Sequence, residues 1–168
     1  MAHTEISTDA YSVSEVPVAP EPWVEPGYDY ADSYELRLAR PDSHTAEEWM
    51  RTAIGQAHPA VRGLVRFVHG RVARFRLTDE PYSALGWETV STVPDAFHIE
   101  TRGPLLRAEI VARRTSDRTA VATTFLFYRH PLARLLWVVI GPLHRRIAPY
   151  LLVRAAAHLT RTPASSAS

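Results

Sequence analysis

The chain has 168 residues, of which 46% are hydrophobic, and this is enough apolar material for the core of one domain of ordinary size. It contains no cysteine and no lysine, so all nineteen basic residues are arginine. These absences exclude disulfides, cysteine-ligated metal centres, thiolate nucleophiles, lysine Schiff bases and the lysine of a phosphate-binding loop.

Charge is distributed unevenly along the chain. Residues 1–29 hold six acids and four prolines but no arginine. This composition predicts a disordered acidic arm over residues 1–28, and a second disordered tail is predicted at 161–168. The arm lacks the basic start and apolar run of a secretory signal, which predicts a cytoplasmic protein. The body from residue 30 onward carries a formal +7. Because its arginines are spread along the chain, self-screening by the arm is favoured over an anionic partner.

The residues after the arm predict one strand and two helices. Tyr30–Leu38 alternates polar and apolar residues imperfectly, as a half-buried strand does. Ser43 or Thr45 can cap the first helix, and Thr45 and Glu48 have the spacing of a capping box. A second short helix is predicted after Pro59. Its apolar side consists of Val61, Leu64, Val65 and Val68.

The middle of the chain predicts an antiparallel sheet. Four β-prone runs are separated by turn sequences: Leu85–Val93, Ala96–Arg102, Leu105–Arg114 and Thr119–Tyr128. Connections this short require antiparallel neighbours.

A turn at Gly103 that pairs Arg102 with Leu105 fixes the faces of the first of these hairpins. Apolar residues of the two strands then lie opposite one another on one face of the sheet. The other face is predicted to be solvated, and it carries His98, Glu100, Arg107 and Glu109. The next strand extends the apolar face through Thr123, Phe125 and Phe127, although a register shift of one residue would reverse that assignment.

The chain closes with a long apolar stretch, Pro131–Leu159. Its longest uninterrupted apolar run, Leu135–Ile140, is far shorter than the roughly 20 residues of a bilayer span, so no transmembrane segment is predicted. Pro142 and Pro149 favour a bent helix that can cover a concave sheet. The predicted fold class is therefore α+β, with an antiparallel sheet wrapped around a long C-terminal helix and two short helices after the first strand.

This order of elements resembles the START-like helix-grip fold, also called the SRPBCC superfamily. The resemblance is sharper at both ends of the region from about Asp29 to Ala157. Asp29-Tyr30-Ala31-Asp32 and, near the end, Trp137 with Pro142-Leu143-His144 are similar to the motifs of an uncharacterised bacterial family of that superfamily. The resemblance implies a helix-grip domain over 29–160 that encloses an apolar cavity for hydrophobic molecules such as lipids, hormones or polyketides.

His144 is the first candidate for contact with a ligand. Trp137, Ile140, His144 and Ile147 follow three- and four-residue steps along one side of the predicted helix, which would present them to a cavity. The structural alternative is a buried histidine bonded to a carbonyl that a proline frees. Further candidates for the cavity wall are Tyr82, Trp87, Thr101, Thr123 and Phe125, although aromatic residues at such spacings are also typical of ordinary core.

No motif identifies a reaction. The eight histidines lack paired metal-ligand spacing, and there is no Gly-x-Ser-x-Gly, so neither a metal site nor a serine nucleophile is predicted. His98, Glu100, Arg107 and Glu109 form either an acid–base group or ordinary cross-strand pairs.

These observations favour a binding module for a small hydrophobic molecule, lipid-like or polyketide-like, without a cofactor. The alternative is a cyclase-like, aromatase-like or hydrolase enzyme that uses a cavity histidine or tyrosine as acid–base. A basic surface for nucleic acid or membrane is the third hypothesis. No nucleic-acid motif supports it, and membrane contact through Leu135–Ile140 conflicts with the need of that helix to cover the sheet.

Overall fold

A computed structural model of the protein describes residues 5–78 and 84–161. In these residues seven antiparallel strands form one sheet in the order β1-β2-β3-β7-β6-β5-β4. The strands are β1 (Glu5–Ser7), β2 (Tyr11–Glu15), β3 (Tyr30–Leu38), β4 (Glu88–Val93), β5 (Ala96–Arg102), β6 (Leu106–Ser116) and β7 (Thr119–Tyr128). The helices are α1 (Ala46–Gly55), α2 (Pro59–Phe67) and α3 (Leu132–Leu159), with a π-helical turn at Val68–Val72 and a 3-10 turn at Ala84–Gly86.

The predicted α+β fold is confirmed: the antiparallel sheet wraps around α3, and α1 packs beside it. Local signals in the sequence account for the element boundaries. Thr45 accepts a hydrogen bond from the backbone N–H of Glu48, and the Glu48 carboxylate accepts one from the backbone N–H of Thr45. This capping box satisfies two donors at the start of α1.

The sheet face that contacts α3, here called the helix face, carries two apolar clusters. One joins β3 and α1 to the second half of α3 and includes Leu36, Trp49 and Leu152. The other lies over β5, β6 and β7 and includes Phe97, Ile99, Leu106 and Leu126. Their burial gives the domain its main hydrophobic stabilisation.

The pairing of β5 with β6 differs from the prediction by two residues. Arg102 lies opposite Arg107, and Ile99 lies opposite Ile110. The turn is longer than expected because the backbone N–H of Gly103 bonds the carbonyl of Leu106 at 2.9 Å. A shift of two residues keeps every side chain on its predicted face, so the face assignment of β5 and β6 is correct although the partners are not.

The face assignment of β7 was wrong. A register irregularity lies between Arg114 and Ser116 in β6, and a bulge of one residue reverses the face of everything paired beyond it. Glu109 therefore lies opposite Phe125. Thr123, Phe125 and Phe127 lie on the face away from α3, here called the outer face.

Residues 5–28 also differ from the prediction. β1 and β2 form a hairpin whose second strand pairs with β3, and Val13, opposite Leu36, is fully buried. The following segment, residues 16–29, crosses the outer face of the sheet, and we call it the N-terminal strap. The predicted disorder of residues 1–28 is thus wrong for its described part. Residues 1–4 and 162–168 lie outside the described residues, and of the predicted tail only Arg161 is described.

Aromatic side chains fix the strap to the sheet. The ring of Trp23 stacks on His98 with 6.3 Å between centroids, and the ring of Tyr28 meets Phe125 edge-on at 5.2 Å. Composition suggested disorder because the segment cannot build a core by itself. It is ordered by a surface that the rest of the chain provides.

The two glutamates of the strap have arginine partners on β6. Glu21 bonds Arg113 at 2.7 Å, and Glu25 bonds Arg107 at 3.0 Å. Specific ion pairs therefore form between the acidic arm and the basic body, and they hold the strap across the strands.

The strap buries the polar group that the sequence placed on a solvated face. His98 and Glu109 are only 1% and 2% exposed, and Glu100 is also buried. The Nε2 of His98 lies 2.9 Å from the Glu109 carboxylate, and Arg107 lies 3.3 Å from the same carboxylate. The prediction of a solvated outer face was wrong because the composition gave no sign of what would cover it.

Candidate ligand-binding cavity

A cavity of about 170 Å³ lies between the helix face of the sheet and α3. The central strands make room for it because small side chains, Ala108, Ala112, Ala120 and Ala122, line its floor. Opposite them, the inner side of α3 contributes Leu136, Ile140, Leu143 and Ile147. Residues of both apolar clusters reach its wall, so the cavity separates the two halves of the core.

Helix α2 covers one side of the cavity. Leu64 and Val65 of this helix line the wall, together with Val68 at the start of the π-helical turn. No residue of α2 is buried, whereas α1 buries four of its ten residues. α2 is therefore held much less firmly than the sheet and α3.

A carboxylate and an imidazole pair at one end of the cavity. Asp32, on the helix face of β3, has a side chain only 3% exposed, and each of its oxygens lies 3.1 Å from Nε2 of His144. The hydroxyl of Tyr30 donates a second hydrogen bond to Asp32 at 2.8 Å. A buried carboxylate is costly without such donors. The pair therefore explains how an acid is accommodated on this face.

The pair defines which nitrogen of His144 remains free. Nε2–H of His144 donates the hydrogen bond to Asp32. In the neutral imidazole, Nδ1 therefore carries a lone pair. Among the described residues, no hydrogen-bond partner of Nδ1 is found. His144 thus presents a hydrogen-bond acceptor at the cavity wall.

The indole of Trp137 fixes the position of this pair. Its ring centroid lies 4.8 Å from that of Tyr30 and 5.2 Å from that of His144. Gly141 permits the arrangement, because a Cβ atom there would lie 3.1 Å from Nε1 of Trp137. The geometry therefore depends on a glycine one turn along α3.

A second histidine lies on another part of the cavity wall. His69 belongs to the π-helical turn, and its Nδ1 accepts a hydrogen bond from the indole N–H of Trp87 at 3.3 Å. Burial, with a smaller contribution from His144 when it is protonated, lowers the pKa of His69 to about 4. His69 is therefore neutral at pH 7, with its proton on Nε2, where it can donate to a ligand.

Two tyrosines beside Asp32 stay protonated. Burial, and then the negative charge of Asp32, raise the pKa of Tyr30 and of Tyr34 above the ordinary value, and Arg145 opposes this in part. Tyr30 is thus a hydrogen-bond donor over the whole physiological range.

The structure brings together only some of the candidate residues. Trp87, Trp137, Ile140 and His144 all line the cavity. Thr101 lies on the helix face but donates its hydroxyl to the carbonyl of Arg76 at 3.2 Å and is not a lining residue.

Two of the other candidates lie on the wrong side of the sheet, and one cannot be placed. Thr123 and Phe125 lie on the outer face because of the bulge in β6. There, the hydroxyl of Thr123 bonds that of Ser33 at 2.9 Å. Tyr82 lies outside the described residues.

The sequence did not single out Asp32 or His69. Asp32 belongs to the motif Asp29-Tyr30-Ala31-Asp32, which indicated a strand but gave no sign of a partner 112 residues away. His69 carries no local signal, since its role depends on Trp87 and on the cavity between them.

Comparisons with protein-family models, curated proteins and solved structures found no match. Within residues 5–78 and 84–161, no group of three or more His, Asp or Glu side chains is placed to hold a metal ion. The function is therefore inferred from the geometry of the cavity.

Proposed function

We propose that the protein binds a small hydrophobic molecule in the cavity between the sheet and α3. The observation that carries this proposal is an apolar space of about 170 Å³ with a few polar groups on its wall. The resemblance to helix-grip proteins, whose cavities hold hydrophobic molecules, supports the same function.

The volume favours a compact ligand. An apolar protein cavity of roughly 150 Å³ holds a molecule such as benzene. A space of about 170 Å³ therefore suits a molecule with a single ring, two fused rings or a short chain. A polyketide-like ring fits this volume better than a complete acyl chain, which would have to extend past α2.

The polar groups favour a ligand with a hydroxyl. The free Nδ1 of His144 can accept a hydrogen bond, and Nε2 of His69 can donate one. A hydroxylated aromatic molecule can satisfy His144, and a carbonyl on the same molecule can satisfy His69. A plain hydrocarbon would fill the space but leave both groups without partners.

The test is a fluorescence titration with 1-naphthol and with naphthalene, which differ only in the hydroxyl. Wild-type protein is expected to bind 1-naphthol more tightly. His144→Ala should weaken 1-naphthol by about tenfold, the loss of one buried hydrogen bond, and leave naphthalene nearly unchanged.

The matched control is Thr123→Ala, which removes a buried hydroxyl from the outer face and should leave both affinities unchanged. If His144→Ala weakens both ligands equally, or neither, the assigned role of His144 is wrong. If neither ligand binds the wild-type protein, and native mass spectrometry finds no co-purified hydrophobic molecule, the binding function itself is refuted.

A second candidate function is general base catalysis, which the Asp32–His144 pair favours. A carboxylate that orients an imidazole and leaves its other nitrogen free is an arrangement suited to proton abstraction. NMR of deuterium exchange at the carbon beside the carbonyl of 1-tetralone tests it. Exchange faster with wild-type protein than with His144→Ala is expected, and equal rates would exclude a base at this position.

A further inference from the structure

The first half of α3 exposes large apolar side chains on the side turned away from the sheet. Leu132, Leu135, Val138 and Val139 are 52%, 65%, 69% and 76% exposed. Leu132, Leu135, Val139 and Pro142 follow steps of three and four residues, which is the spacing of one helix face. We call Leu132, Leu135, Val138, Val139 and Pro142 the apolar strip.

The apolar strip contributes little to the core. The adjoining side of the same turns, with Leu136, Ile140 and Leu143, lines the cavity. Isolated exposed apolar residues are ordinary, but a run of large ones over successive turns marks an interaction surface. A helix that is apolar on both sides and buried on one needs a second apolar environment.

The charges around the strip indicate what that environment is. Arg134 and Arg146 are both exposed and lie at its border and its end. α3 contains no Asp or Glu. A second copy packed strip against strip would bring these arginines together without an acid from either helix, which disfavours a dimer. Phosphate headgroups next to an acyl layer complement both features.

We propose that the apolar strip docks the protein on bilayers that contain anionic lipids. α3 lies in the plane of the interface, with the strip in the acyl boundary and the arginines at the headgroups. This is surface contact, since none of the described helices is long and apolar enough to cross a membrane. The conflict suggested by the sequence does not exist, because one side of α3 covers the sheet while the other is exposed.

The same helix connects the membrane surface to the cavity. Leu135 and Val139 belong to the strip, whereas Leu136 and Ile140, one position further along, line the cavity. Docking therefore places the cavity within one helix diameter, about 10 Å, of the acyl layer. The docking proposal does not depend on which molecule the cavity binds.

Vesicle flotation tests the proposal, using phosphatidylcholine vesicles with and without phosphatidylglycerol. The full chain is expected to float with the anionic vesicles, far less with phosphatidylcholine alone, and less as salt concentration rises. Leu135→Ser/Val139→Ser should weaken binding to anionic vesicles by about tenfold or more. Arg134→Gln/Arg146→Gln should weaken binding and reduce its dependence on salt.

Val90→Ser/Val93→Ser is the matched control, because these valines are also exposed but lie on β4, away from α3. It should bind vesicles like the wild-type protein. The proposal is overturned if wild-type protein does not float, if it binds both vesicle types equally, or if Val90→Ser/Val93→Ser loses binding to the same extent as Leu135→Ser/Val139→Ser. It is also overturned if the wild-type protein sediments as a dimer and Leu135→Ser/Val139→Ser sediments as a monomer that still binds vesicles. Titration with 1-naphthol separates the two proposals, since the strip variant should retain that binding.

Discussion

The two faces of the sheet bury polar groups in different ways. On the helix face, Asp32 and His144 form a pair among apolar side chains and leave one imidazole nitrogen open to a cavity. On the outer face, His98 and Glu109 are packed beneath the strap. One face has space beside its polar groups, and the other has been filled.

The difference comes from what covers each face. α3 is a rigid helix that contacts the sheet along one side, so small residues below it leave a void. The strap has no regular structure across the strands and follows their surface closely. Its acids can therefore meet Arg107 and Arg113 individually. An irregular cover can pair its charges individually, whereas a helical cover over small side chains encloses space.

The largest expected effect tests the helix face. Ile99 is fully buried there, and Ile99→Asp would place a carboxylate in apolar surroundings without a partner. We expect a loss of more than about 4 kcal/mol in the free energy of unfolding, and no cooperative thermal transition. Thr89→Asp is the control, since Thr89 is exposed and lies opposite Ile99 on β4. A cooperative transition in Ile99→Asp near that of the wild-type protein would contradict this placement of the core.

The next effect tests the outer face. Glu109→Ala leaves His98 and Arg107 without their shared buried carboxylate. We expect a loss of about 3–5 kcal/mol, measured by urea denaturation. Glu109→Gln, which keeps one oxygen for the hydrogen bond from His98, should cost less. If Glu109→Ala were as stable as the wild-type protein, the outer face would not be buried as described.

A smaller effect tests the strap itself. Trp23 stacks on His98 and lies under the guanidinium of Arg113 at 4.8 Å, but its side chain is still about one-third exposed. Trp23→Ala should therefore cost about 1–2 kcal/mol, less than a core tryptophan. Limited proteolysis should then cut within residues 16–29 more rapidly, while Trp23→Phe keeps most of the protection. Equal cleavage of all three proteins would show that Trp23 does not hold the strap.

The last test uses the pH dependence of stability and concerns His69 on the cavity wall. Burial holds the pKa of His69 at about 4, below the roughly 6.5 of an unfolded histidine. The unfolded chain therefore takes up a proton first as the pH falls, and the folded state loses stability between about pH 6.5 and about pH 4. His69→Phe should remove this part of the pH dependence, about 2 kcal/mol after allowance for its partial exposure. An unchanged slope in His69→Phe would show that His69 is not buried and neutral.

Much of the fold could be predicted from local signals. Tyr30–Leu38, Ala96–Arg102 and Thr119–Tyr128 are strands with the predicted bounds, and α3 begins one residue after the predicted start. Alternation, helical spacing, capping and turn residues are properties of neighbouring residues, so they survive in any tertiary context. For the same reason the stripe of Trp137, Ile140 and His144 was found, and the structure places it on the cavity wall.

Tertiary structure alone decided the rest. The bulge before Ser116 reversed the faces of Thr123 and Phe125, because the period of a strand is two and one extra residue changes its parity. The strap became ordered because its glutamates meet arginines more than 80 residues away. Asp32 and His144 are likewise 112 residues apart. Such pairings depend on which strands become neighbours, and local sequence carries no information about that choice.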